Sequence, residues 1–61
     1  MNLEERLLEE ISRMESDADK FYRIANDMYD NGDYIQSASK RSMGNLIMKN
    51  VVALKKIIYE V

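Results

Sequence analysis

The chain contains no cysteine, histidine, proline or tryptophan, and only two glycines among its 61 residues. Each absence closes a route. Without cysteine there are no disulfides, and nothing in the sequence speaks for an oxidising compartment. Without cysteine and histidine the usual zinc ligands are missing, and carboxylates alone make poor zinc cages. Without histidine, Ser12, Ser16, Ser37, Ser39 and Ser42 lack the commonest base of a serine nucleophile; a lysine could serve, but no spacing singles one out. Absent proline and scarce glycine favour long, uninterrupted helices. No apolar run approaches the ~20 residues needed to cross a bilayer. The opening MNLEERLLEEI carries four glutamates in place of the basic start and apolar core of a secretion signal. These features predict a cytoplasmic protein with no membrane partner.

What is present is charge, apolar periodicity and one turn. Formal net charge is −2, unevenly placed. Residues 1–30 hold nine acids and four bases, residues 31–61 two acids and five bases. Such halves attract each other when they run antiparallel.

Leu7, Ile11, Met14, Ala18, Phe21, Ala25 and Met28 alternate by four and three, the seam of a helix packed in a bundle or coiled coil. Leu3, Tyr22 and Tyr29 widen the stripe. Asn2 with Glu5 resembles a capping box. Ser16-Asp17-Ala18-Asp19 has the composition of a second helix start, yet the seam crosses it in phase. One helix is therefore predicted from about residue 3 to about residue 30, roughly 40 Å long at 1.5 Å per residue. Large Leu7, Met14, Phe21 and Met28 share one heptad position, and Ile11, Ala18 and Ala25 the other, an alternation that lets facing layers interdigitate.

Beyond the turn, Met43, Ile47, Asn50, Leu54, Ile57 and Val61 repeat the four–three alternation, flanked by Leu46, Val51 and Ile58. This predicts a second helix from about residue 34 to about residue 60, with an apolar stripe wider than one partner requires. Between the helices lies YDNGDY. Gly32 can take the left-handed conformation that ends a helix. Asp33 with Gln36 three residues on completes a capping box. So short a connection returns the chain antiparallel. The predicted fold is all-α: one domain, residues 1–61, a long antiparallel helical hairpin with its turn at 31–33. A 61-residue domain without disulfide or metal is marginal alone. A two-helix hairpin cannot enclose its own apolar side chains, so pairing of two copies into a four-helix bundle is expected.

Few residues suggest chemistry. Asn50 is the polar member of the second seam; a buried amide needs a partner, and a symmetry mate supplies one while fixing register. Met14, Met28 and Met43 fall on the seams as ordinary core. Met48 lies on another side of the second helix, with Val52 and Tyr59 among Arg41, Lys49, Lys55 and Lys56. That mixed basic face is the candidate partner-binding surface, suited to an acidic helix or a phosphate backbone. Glu5 and Glu9 point away from the seam, Glu4 and Glu10 lie at its edges, and no Glu-x-x-His of a di-metal bundle occurs. Gly44 falls within the second helix rather than in a phosphate-binding loop, and marks a close helix crossing. No catalytic, cofactor or metal site is predicted.

By architecture (length, central turn, large–small layering) the chain resembles the Rop-type plasmid regulators, paired αα-hairpins that bind RNA. By local sequence, NGDYIQSA is similar to the helix-connecting segment of tetratricopeptide repeats, microtubule-interacting-and-transport domains and some small archaeal helical-hairpin proteins. Gly32, Asp33 and Tyr34 match, and Ser37 holds the small position. The first resemblance implies the bundle, the second implies protein–protein contact. The resulting expectation is a non-enzymatic interaction or regulatory module acting as a homodimer, with an unidentified protein partner. The alternative is a small nucleic-acid-binding regulator using the basic face.

Overall fold

Two helices account for nearly all of the computed structural model, which describes residues 2–60. Helix α1 spans Leu3–Asp30 and helix α2 spans Tyr34–Tyr59. Val61, expected as the last position of the second seam, lies outside the described residues. Helix α1 begins where Asn2 Oδ1 accepts the backbone N–H of Glu5 at 2.8 Å. Glu4 and Glu5 in its first turn face the positive end of the helix dipole. It passes Ser16–Asp19 without a break, because the seam there stays buried at Ala18 and tertiary packing outweighs the capping tendency of Ser and Asp.

The turn is a Schellman motif. Gly32 has φ +83°. Its N–H donates to the Tyr29 carbonyl at 3.0 Å, and the Asp33 N–H donates to the Met28 carbonyl at 2.8 Å, which satisfies two orphan acceptors at the helix end. Asp33 also caps α2, its carboxylate accepting the Gln36 N–H at 3.2 Å. The Tyr29 and Tyr34 rings meet edge to face across the turn, centroids 4.9 Å apart.

The buried seam has one residue per heptad on each helix: Ile11, Ala18 and Ala25 on α1, and Ser37, Gly44 and Val51 on α2. The Ser37 hydroxyl donates to the Ala25 carbonyl at 2.7 Å, so a buried polar group is satisfied and the register is set. Steps of seven in opposite directions then place Gly44 opposite Ala18 and Val51 opposite Ile11. The middle of the seam is all small residues, which brings the helices close. A Cβ on Gly44 would lie 2.8 Å from Cε1 of Tyr22; the ring occupies the space that glycine leaves.

This corrects the expected seam of α2. Met43, Asn50 and Ile57 are exposed, and the residues facing α1 are each one position later. The cause is that apolar bulk marks a stripe by pattern, whereas the true contact is made by a serine and a glycine that carry no apolar bulk. Leu7, Met14, Phe21 and Met28 are half-buried, along one edge of the α1 seam. Among the described residues one ion pair joins the helices, Lys55–Glu15 at 3.4 Å. Arg13–Glu10 and Arg23–Asp19 lie within α1.

The molecule is a single layer, 45 × 19 × 10 Å in Cα extent. Among the described residues the buried apolar side chains are Ile11, Ala18, Ala25 and Val51.

Candidate interaction surfaces

The seam divides the hairpin into two broad faces. On one, polar groups of the two helices join. Tyr22 Oη donates to Asn45 Oδ1 at 2.7 Å. Arg41 donates to Asn26 Oδ1 at 3.0 Å, and Lys55 to Glu15 as above. Four of the residues expected on the basic face, Arg41, Met48, Val52 and Lys55, border this side. Met48 and Lys55 are half-buried, their stems laid along the hairpin as long side chains do. Lys49, Val52, Lys56 and Tyr59 are exposed. The face is thus tied partly into the fold: two of its four cations reach polar groups on α1, and the other two, Lys49 and Lys56, stand further round α2.

The opposite face is apolar. Phe21 and Ile24 of α1 line a shallow groove with Ile47 of α2, edged by Asp17 and Lys20. Nearer the open end, Leu3 and Leu7 line a second with Ile57 and Ile58, edged by Glu4. The exposed apolar surface continues round α2: Leu46 and Ile57 are each 63% exposed and Ile35 is 85% exposed. Asn50 sits within this surface and is exposed on the hairpin.

Sequence periodicity marked Asn50, Met43 and Ile57 but aimed them at α1. It treated Leu46 as a flank and passed over Ser39 and Ala53. The missed signal was the charge pattern. At about 100° per residue, the arc of α2 carrying Ser39, Met43, Leu46, Asn50, Ala53 and Ile57 holds no charged residue along its length.

Among the described residues no helix is long and apolar enough to cross a membrane. No family model matches the chain, and neither a curated protein nor a solved structure does. The hairpin and its two unlike faces are therefore what bears on function.

Proposed function

We propose that the chain is a non-enzymatic interaction or regulatory module of the cytoplasm, working as a homodimeric helical bundle with room for a further protein partner. The observation that carries this reading is the uncovered apolar face. A compact monomer of 7.2 kDa exposes about 4,100 Å². This hairpin exposes 4796 Å², an excess of roughly 700 Å², close to the ~800 Å² that each partner gives up in a standard interface. Four buried apolar residues among those described are a small core, and below about 70 residues a small core needs a staple. A second copy is the staple always present when the chain is. Asn50 then becomes a buried amide whose partner comes from the other copy.

Sedimentation equilibrium combined with thermal melts tests this. The dimer's melting temperature rises with concentration by mass action. A hundredfold change supplies about 2.7 kcal/mol, a rise of about 10 °C for two 61-residue chains at the usual unfolding entropy per residue. A monomer with a concentration-independent melt refutes the reading. The second reading, nucleic-acid binding, draws on the exposed Lys49 and Lys56 beside Tyr59.

A further inference from the structure

We infer that the outward strip of α2 is the seat of the second copy, docked antiparallel, α2 on α2. The inference rests on the homodimer reading above and specifies its contact. Ser39, Met43, Leu46, Asn50, Ala53 and Ile57 alternate by four and three, and all are exposed on the hairpin. They form a second heptad seam, turned well away from Ser37, Gly44 and Val51. One helix with two seams is built to touch two helices.

Size and charge choose the occupant and its direction. A two-fold interface is isologous: if residue i meets residue j, then j meets i. Align the strip antiparallel with itself about position 48. Small Ser39 then meets large Ile57 of the other copy, large Met43 meets small Ala53, and Leu46 meets Asn50. Every layer pairs a larger with a smaller side chain, the arrangement that fills a core without voids. The same alignment overlaps nearly all of Tyr34–Tyr59 with its mate. The two Asn50 residues fall on either side of the two-fold axis, in neighbouring layers about 6 Å apart along the helix at 1.5 Å per residue. A parallel alignment sets Ser39 on Ser39 and Ile57 on Ile57, leaving a void at one layer and a crowd at another.

The alternative contact, α1 on α1, is set apart not by net charge, since residues 1–30 hold nine acids against four bases and residues 34–60 five bases against one acid, but by where the charges sit. Glu10 and Asp17 flank the apolar edge of α1, and like charges opposed across an interface are unfavourable. The strip on α2 has no charge to oppose.

The native chain has no cysteine, so single cysteines report cleanly. Met43→Cys copies are mixed with Ala53→Cys copies and oxidised, and each variant is also oxidised alone. The expected result is a mixed disulfide dimer forming at least about a hundredfold faster than any dimer of either variant alone. A pair held in contact acts at millimolar effective concentration against micromolar in bulk, while like positions stand about 15 Å apart along the helix at 1.5 Å per residue, beyond disulfide reach. Rapid self-linking of each variant alone indicates a parallel contact and overturns the inference. A dimer by sedimentation that links in neither mixture nor isolation places the interface elsewhere and overturns it, while the homodimer reading stands. A monomer at all concentrations overturns both. Circular dichroism checks the helices, and Ser39→Cys with Ile57→Cys repeats the test should the first pair disturb them.

Discussion

Replacing Gly44 by alanine sets two effects of known sign against each other. Alanine is the better helix former by about 1 kcal/mol in a helix interior, so on an open helix the substitution stabilises. Here the new Cβ would lie 2.8, 3.0 and 3.1 Å from Cε1, Cζ and Cδ1 of Tyr22. Those atoms belong to a rigid ring whose hydroxyl is engaged with Asn45 at 2.7 Å. Relief requires moving the ring or parting the helices where Ala18 and Gly44 cross. Overpacking of this kind costs about 1–3 kcal/mol, and loss of the tyrosine hydrogen bond adds to it. The net expectation is destabilisation by about 1 kcal/mol, or roughly 8 °C in a chain of this length. In a Tyr22→Ala background the obstacle is gone and only the propensity remains, so Gly44→Ala should stabilise by about 1 kcal/mol. The coupling between the sites is then about 2 kcal/mol, within the range found for residues in contact. Urea unfolding of the four proteins at one fixed concentration measures it, the fixed concentration removing mass-action effects. A higher stability of Gly44→Ala in the parent chain, or the same shift in both backgrounds, refutes the close-crossing argument.

Three other substitutions probe the turn, the amide and the basic face. Gly32 has φ +83° and open space around its Cβ position, so Gly32→Ala costs about 1 kcal/mol through backbone strain alone. Gly32→Asn should cost less, since asparagine tolerates that conformation, and denaturant melts showing equal costs would contradict this. Asn50→Leu should raise the melting temperature while sedimentation shows mixed oligomers, because a seam amide trades stability for a single register; a less stable variant with one unchanged oligomer opposes that role. No appreciable binding to duplex DNA or structured RNA is expected at physiological salt. Submicromolar affinity by fluorescence anisotropy, with a salt slope that flattens in Lys55→Gln/Lys56→Gln, would move the function onto the basic face.

The hairpin was legible because independent local features agreed. Apolar residues at steps of three and four run through both halves, and Asn2 and Asp33 accept the N–H groups they were expected to cap. Gly32 is left-handed, as a short helix-ending turn requires. On α1 the heptad position of Ile11, Ala18 and Ala25 is the buried one. The face of α2 was less legible for a physical reason. Hydrophobic periodicity weighs apolar bulk, and the contact with α1 uses Ser37 and Gly44, which contribute almost none. The bulk lies one residue earlier, at Met43, Asn50 and Ile57, about 100° round the helix. A helix with two stripes gives the pattern no way to say which stripe faces inward. Only the cross-helix hydrogen bond of Ser37 and the ring of Tyr22 over Gly44 decide it, and both join residues far apart in sequence.

The two faces of the hairpin also differ in what they can contribute to assembly, and magnitudes choose between them. The polar face offers Lys55–Glu15, each side chain 42% exposed, and hydrogen bonds that already close within one chain. Exposed ion pairs contribute about 0–1 kcal/mol, and opening internal pairs to make intermolecular ones returns little. If the apolar side of each copy gave up an area equal to the roughly 700 Å² by which the hairpin exceeds a compact monomer, two copies would withdraw roughly 1,400 Å² from water. With about 65% of that apolar, as in homodimer interfaces, and about 25 cal/mol per Å², the gross gain is roughly 20 kcal/mol. Association costs about 4–15 kcal/mol in lost freedom, with further terms for ordering side chains. The gross gain on the apolar side is of the same order as that cost, whereas the polar side falls well short of it. With gain and cost so close, loss of even a third of the contact would tip the balance towards the monomer, so an arginine at Leu46 or Ala53 should weaken the dimer far more than one at Lys49 or Lys56.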